Sequence, residues 1–411
     1  MKKRILSLLA ALVLAFPGFG TVRALAEGTG IDTSALDMDY YGRYQDKGYS
    51  ISVYNWGEYI SDGADGSLDV NKAFEEVTGI KVIYSNYDTN ESMYAKLKTG
   101  GTSYDIVIPS DYMISRMIAE GMLQKLDFSN IPNLHNIEDI YLNQSYDPGN
   151  EYSVPYTWGV LGLIYNTRLV EDESVVASWG ALWSEAYMDN ILMINNSKDA
   201  FGITFKYMGA PINAETTEQV DKAVELLKAQ KNVIQAYVAD EIFDKMIGEE
   251  AAIAPYFNGD AVTMIADNPD LAFSIPMEGS NIFTDCLCVP VESQKRELAE
   301  MYINFMLEPE VGLANTEAIG YSTPNRLVYE QLDEETREDP TAYPTEEELA
   351  RCEYYNYVGA EMSLYIDGKW AEVLTADEKY SAMIMPMFLG ACVAGIITLN
   401  VVRASRKKRE S

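Results

Sequence analysis

Alternating apolar and polar positions predict the first strand of the chain. Ile51 and Val53 alternate with polar neighbours and lead to Trp56, as in a strand that ends in a polar, aromatic turn. Helix and strand patterns then alternate over residues 68–78 (helix), 80–84 (strand), 90–98 (helix, with Asn90 as its cap), 104–109 (strand) and 114–122 (helix). This β-α-β-α-β-α order predicts a parallel sheet, so residues 110–112 and Trp56 should emerge at the same sheet edge.

Two extended apolar segments predict crossings between two domains. Residues 152–166 contain one proline and two glycines, and residues 282–290 form the second such segment. Between and after them the patterns predict helices around 178–187, at 199–208, at 217–230, from 258 and at 295–307, with strands at 191–194, 252–257 and 271–276. A capped surface helix is predicted to begin at Thr345.

The length of 411 residues also favours two domains, because one hydrophobic core seldom serves so long a chain. We place the first α/β domain at residues 49–158 and 286–325, and the second at 159–285 and 326–378. Residues 27–48 are polar without a clear period and are interpreted as a spacer.

The two ends of the chain predict export and anchoring. Residues 1–26 have the basic start, apolar run and Ala-Leu-Ala ending of a signal peptide, although an uncleaved N-terminal anchor is the alternative. Residues 382–402 are long and apolar enough for a transmembrane helix, and the basic residues of 403–411 follow at once. A buried core helix is the alternative for that segment. The prediction is a protein on the extracytoplasmic face of the cell membrane, held by its C-terminal helix and ending in a basic cytosolic tail.

Charge and composition exclude several functions. The net charge of −32 disfavours nucleic acid and attracts cations, although acidity also serves solubility alone. A single histidine leaves no ligands for a multi-histidine metal site. The four cysteines, Cys286, Cys288, Cys352 and Cys392, indicate no disulfide framework.

Aromatic and acidic residues gather just after strands and in the crossing segments, with no basic residue among them. They are Trp56, Glu58, Tyr59, Ser110, Tyr112, Asp199, Phe257, Asp260, Phe283, Asp285 and Tyr321. Such a set suits a flexible organic cation, since rings attract ammonium groups and carboxylates accept their hydrogen bonds. From spacing alone, the rings fit core or rim positions equally well, and Asp199 or Asp260 could cap a helix. Asp285, inside an apolar strand, needs a partner if it is buried.

Several segments resemble the spermidine/putrescine-binding proteins of polyamine ABC transporters. They are YNWGEYI, NYDTNESMYAKLKTGGTSYDIVIPSDYMI followed by EGMLQKLD, YSVPYTWGVLGLIYN and AIGYSTPN, and the likeness runs from about residue 51 to about residue 365. The resemblance implies a two-domain, periplasmic-binding-protein-like clamp that closes on its ligand and presents it to a permease. By position, Trp56, Tyr59, Ser110 and Tyr112 resemble the first-domain wall, and Asp199, Asp285 and Tyr321 resemble the family's ligand contacts.

Four positions depart from the spermidine-type pattern. Phe257 and Phe283 stand where those members have Trp, Asn196 where they often have Asp, and Tyr355 where they have Gln. Asp260 instead resembles the putrescine-type members. The choice between putrescine and spermidine is therefore left open.

The sequence thus predicts a polyamine receptor that passes its ligand unchanged to the permease subunits of an ABC importer. We expect a monomer with no catalytic residue, metal or cofactor. Two alternatives are a sensor ectodomain for a cationic ligand, whose cytosolic tail is too short for an output domain, and a secreted glycosidase that uses Glu58 and Asp285 as paired carboxylates.

Overall fold

The computed structural model describes residues 30–101 and 103–376. The predicted signal peptide and the predicted membrane helix at 382–402 lie outside these residues. Within them, every helix falls short of the length and apolar character that a membrane span requires.

The strands are β1 (Ser50–Trp56), β2 (Lys81–Tyr87), β3 (Ile106–Val107), β4 (Ser153–Asn166), β5 (Ile191–Ile194), β6 (Ile234–Val238), β7 (Ile253–Phe257), β8 (Leu271–Ser274) and β9 (Ile282–Cys288). The α-helices are α1 (Met38–Tyr41), α2 (Val70–Thr78), α3 (Asn90–Thr99), α4 (Asp111–Ala119), α5 (Ser197–Tyr207), α6 (Thr217–Gln230), α7 (Glu241–Ile247), α8 (Asn258–Asp267), α9 (Arg296–Met306), α10 (Pro309–Ile319), α11 (Arg326–Tyr329), α12 (Glu334–Glu338), α13 (Glu346–Leu349) and α14 (Ala360–Thr375).

Both halves of the molecule contain parallel strands with helices between them. β1 pairs in parallel with β2 and β3, and β5 pairs in parallel with β6 and β7. The predicted β-α-β-α-β-α order of the first part is confirmed. The strands follow the spatial order β2-β1-β3-β9-β4-β7-β5-β6, with β8 beside β4.

β4 and β9 connect the two halves, as the extended apolar segments predict. Residues 153–160 of β4 pair antiparallel with β9, and residues 161–166 pair with β7 and β8. The whole of β4 is buried, which explains its continuous apolar sequence. In this register Thr157 lies opposite Asp285, and Gly159 lies opposite Phe283.

Two large hydrophobic cores lie on either side of these crossing strands. The first contains residues of β1, α2, α9 and α10, and the second contains residues of β5, α5, α6 and β7. Two cores in one chain give the α/β, two-domain architecture. α11 contacts α10 of the first domain, whereas α14 packs against α6 of the second. The domain boundaries placed from the sequence stay a prediction.

The described part of the predicted spacer belongs to the first domain, so the spacer interpretation is wrong there. Residues 33–44 form short helices, and Tyr41 is fully buried in the first core. The Tyr41 hydroxyl donates a 2.7 Å hydrogen bond to Glu308. The buried Tyr41 ring and this hydrogen bond help to hold residues 33–44 on the first domain, although their polar sequence shows no periodic pattern.

Of the other local predictions, some are confirmed and others are wrong. Thr345 caps α13 as predicted, through a capping box with Glu348. Thr89, not Asn90, caps α3, because its hydroxyl accepts the Ser92 N–H. The predicted helix around 178–187 is two short 3-10 helices. The sequence patterns missed β6, α7, α10 and α14.

Candidate functional site

Asp285 lies at the centre of the crossing strands and is 4% exposed. Its carboxylate accepts a 2.7 Å hydrogen bond from the Tyr59 hydroxyl, which also lies 2.5 Å from the Thr157 hydroxyl. Ser110 bridges to Asp285 through the backbone, so the residues after β1 and β3 reach β9. Burial raises the pKa of Asp285 to about 6, although hydrogen bonds from Ser110 and Tyr59 oppose the shift.

Asp260 provides a second carboxylate, which is half-buried and paired with a phenol. The Tyr321 hydroxyl donates a 2.9 Å hydrogen bond to it. Asp260 lies in the first turn of α8, which begins at Asn258, so it is not the helix cap. Burial raises the pKa of Asp260 to about 7. A Cβ atom on Gly259 would lie 2.4 Å from the Tyr321 ring, so glycine is required for this close approach.

Four rings pack in an unbroken row beside Asp285 and Asp260, which we call the aromatic wall: the buried Tyr59, Tyr321 and Phe283 and the half-buried Phe257. Their neighbouring centroids are 5.0 Å apart for Tyr59 and Tyr321, 6.1 Å for Tyr321 and Phe283, and 5.4 Å for Phe283 and Phe257, all with edge-to-face geometry. Such packing orients the rings and holds them in place. The structure brings these six residues together, and their role as ligand contacts stays a prediction.

Tyr112 and Tyr355 form a separate aromatic pair, with centroids 6.3 Å apart at 82°. The Tyr112 hydroxyl donates to Glu91 at 2.9 Å, and the Tyr355 hydroxyl donates to the backbone carbonyl of Lys198 at 3.3 Å. A Cβ atom on Gly202 would lie 2.1 Å from the Tyr355 hydroxyl oxygen, so α5 needs a glycine beside this ring.

Asp199 lies beside this pair at the start of α5 and is 5% exposed. Burial raises its pKa to about 7, although the nearby Tyr355 hydroxyl and the charge of Lys198 oppose the shift. Asn196 is the cap of α5, because its carboxamide oxygen accepts from the N–H groups of Lys198 and Asp199 at 2.9 and 3.2 Å. The structure thus assigns the capping role to Asn196 and frees the Asp199 carboxylate.

Asp111 joins these groups, although the sequence-based set omitted it. It is fully buried and accepts from the N–H groups of Tyr112 at 2.5 Å and Thr284 at 3.4 Å. Burial raises its pKa to about 8, the negative charge of Asp285 adds to the shift, and the positive charge of Lys198 opposes it. Its position directly after a strand end could have singled it out.

Trp56 packs against the core that contains Tyr59, Phe283 and Tyr321, but its ring contact is with Tyr87, and Glu58 is exposed. The Trp56 indole N–H donates to the Ile108 carbonyl at 2.8 Å, and its ring packs 4.6 Å from Tyr87. Glu58 is exposed, at a left-handed backbone position with φ of 46°, and its charge acts on Tyr84. An exposed Glu58 and a buried Asp285 are not the facing pair that the glycosidase alternative needs.

A basic residue also enters the site, contrary to the expectation from the sequence. The Lys198 ammonium lies 4.1 Å from the centroid of the Tyr112 ring and 4.7 Å from that of Tyr355. In the sequence, Lys198 looks like an ordinary charged residue at a helix start. Only its position next to Asp199 could have drawn attention to it.

Two α/β domains joined by crossing strands, with buried carboxylates and rings where they meet, define the clamp class of solute-binding proteins. The model of the bacterial extracellular solute-binding protein family matches residues 70–345, and the chain belongs to this family.

Named relatives agree with this assignment. The spermidine/putrescine-binding periplasmic protein of Escherichia coli (strain K12) is 34% identical over 332 residues, which cover 80% of this chain and 93% of that protein. Among solved structures, a putative spermidine/putrescine ABC transporter protein from Listeria monocytogenes is 35% identical, with a TM-score of 0.75 over 79% of this chain and 99% of that one. The spermidine/putrescine ABC transporter substrate-binding protein of Streptococcus pneumoniae is 37% identical, with a TM-score of 0.68 over 79% and 98% of the two chains.

Proposed function

We propose that this protein is an extracytoplasmic polyamine receptor that delivers putrescine or spermidine to the permease of an ABC importer. The observation that carries the proposal is Asp285, a buried carboxylate beside the aromatic wall whose hydrogen-bond donor is a phenol rather than a cation. Across the described residues, neither Asp285 nor Asp260 forms an ion pair with lysine or arginine. A bound ammonium group would supply the missing charge.

The aromatic wall fits the rest of such a ligand. Faces of Tyr and Phe rings attract ammonium groups and pack against the methylene groups between them. A polyamine is a chain of methylenes with charged ends, so the rings and the carboxylates each have a partner. A sugar would instead want amide donors and acceptors, and an anion would want arginine or helix N-termini.

Ligand binding favours the closed clamp because both domains contribute contacts. Tyr59 and Ser110 follow strands of the first domain, and Asp199 and Asp260 lie on helices of the second. A cation held by groups of both domains stabilises the closed conformation by its contacts there and leaves the open one unchanged. The transport cycle breaks no covalent bond, since the ligand is released unchanged to the permease.

Calorimetric titration of the full chain in mild detergent tests the proposal. Putrescine and spermidine should each be offered, with maltose as the control ligand. Heat of binding with an amine and none with maltose is the expected result. Absence of binding with both amines would overturn the polyamine assignment, although the fold and the family would stand.

Membrane attachment is the second part of the proposal. The apolar residues 382–402 and the basic residues that follow would tether the receptor beside its permease and raise its local concentration there. The full chain should sediment with membranes, and a chain that ends before Lys379 should be soluble. A truncated chain that still sediments with membranes would contradict the tether.

A further inference from the structure

The Lys198 ammonium is surrounded by the groups that a bound organic cation requires. Two ring faces, Tyr112 and Tyr355, lie 4.1 and 4.7 Å away. The charges of Glu91, Asp111, Asp199 and Asp367 act on it and favour its charged form. The Asn356 carbonyl accepts a 3.4 Å hydrogen bond from it. Rings, carboxylates and a carbonyl are together the environment of a recognised ammonium group.

Lys198 reaches this environment from the second domain. It lies in the first turn of α5, whereas Tyr112 and Glu91 lie on α4 and α3 of the first domain. The Tyr112 hydroxyl is held by Glu91 at 2.9 Å, so the ring that faces the ammonium is fixed. Burial lowers the pKa of Lys198 to about 8, and the nearby carboxylates oppose this shift.

The carboxylates of the site form one connected series that ends at this lysine. Tyr321 links Asp260 to Tyr59 through its hydroxyl and its ring, and Tyr59 donates to Asp285. The charge of Asp285 raises the pKa of Asp111, and the charge of Lys198 lowers it. The lysine lies at one end of the series, and Asp285 and Asp260 at the other end have hydroxyl groups as their side-chain donors.

We propose that the Lys198 ammonium occupies one ammonium position of the ligand cleft, so that the site selects a diamine over a triamine. This inference rests on the proposed function. A diamine places its two charges at Asp285 and Asp260. The third charge of a triamine of the spermidine type would approach Lys198 and meet like-charge repulsion in a poorly solvated place.

The test compares putrescine and spermidine affinities for the full chain and three variants by calorimetry. Lys198→Met keeps the length of the side chain and removes its charge, whereas Lys198→Arg keeps the charge. Lys222→Met, on an exposed part of α6 where Lys222 pairs with Glu218, is the matched control. Lys198→Gln serves as a second neutral variant if the methionine variant does not fold.

The wild type should bind putrescine at least tenfold more tightly than spermidine. Lys198→Met should reduce this ratio about tenfold or more by gaining spermidine affinity, and Lys198→Arg and Lys222→Met should keep it. An unchanged ratio in the neutral variants, an equal gain for both amines, or a wild type that prefers spermidine would each overturn the inference. A wild type that binds neither amine would instead overturn the proposed function.

Discussion

The two ends of the cleft use the same types of residue but differ in one charge. At the Asp285 and Asp260 end, one buried and one half-buried carboxylate accept hydrogen bonds from Tyr59 and Tyr321. At the Asp199 end, two tyrosine rings face the ammonium of Lys198. The acidic and aromatic groups therefore already hold a cation of the chain at one end, and in the proposed function the other end receives the cation of the ligand.

Loss of the Asp285 carboxylate, at the ligand end of the comparison, should have the largest effect on putrescine binding. Asp285→Asn should weaken putrescine binding by more than about 100-fold, because an unpaired buried ammonium costs roughly 3 kcal/mol or more. Calorimetry of the full chain measures the change. Glu292→Gln, at an exposed position shortly after β9, is the control and should bind as the wild type does. Equal affinity of Asp285→Asn and wild type would show that the site is misplaced.

The second carboxylate of the same end should matter somewhat less. Asp260→Asn should weaken putrescine binding by about 10- to 100-fold, since its carboxylate is only half-buried and Tyr321 can still donate to the amide oxygen. The exposed Asp240, whose charge acts on Asp260, provides the control Asp240→Asn. If both variants lost affinity equally, the effect would come from the overall negative charge near the site rather than from contact between Asp260 and the ligand.

Acid should weaken binding at the same end. The raised pKa values of Asp285 (about 6) and Asp260 (about 7) mean that these carboxyls take up protons as the pH falls through that range in the ligand-free protein. A bound ammonium favours the ionised carboxylates, so the complex holds fewer protons than the ligand-free protein. The affinity therefore decreases as the pH is lowered. Putrescine affinity should drop about tenfold from pH 8 to pH 6, with proton release measured in buffers of different ionisation heat. A flat profile would contradict this protonation scheme.

The smallest change is expected at the lysine end. Asp199→Asn should lower putrescine affinity by only a few fold, since the positive charge of Lys198 already acts on this carboxylate. A loss as large as that of Asp285→Asn would abolish the distinction between the two ends. The thermal unfolding temperature of the variant, measured beside the wild type, separates a binding effect from a folding effect.

The sequence predicted those parts of the site that depend on local pattern. Strand ends placed Ser110 and Tyr112 correctly, and an acidic residue in an apolar strand singled out Asp285. Other roles depend on tertiary contacts. Lys198 lies in the candidate site because α5 brings it to Tyr112, a ring that is distant in sequence.

The predicted roles of two other residues depend on local geometry that the pattern did not reveal. Asn196 caps α5, since its oxygen reaches two backbone N–H groups. Glu58 adopts a left-handed conformation that leaves its side chain exposed, although it sits between Trp56 and Tyr59. The crossing strands were predictable because burial on both faces makes β4 apolar throughout.

The antiparallel pairing of β3 with β9 has a consequence for how the chain folds. Val107 pairs with Cys288, which lies far along the chain. This pairing in the first sheet cannot form until the residues between them are available. The second core draws mainly on the continuous stretch from Leu161 to Leu271, and its contacts are closer in sequence. Closing long loops is slow, so we expect the middle of the chain to fold before its beginning.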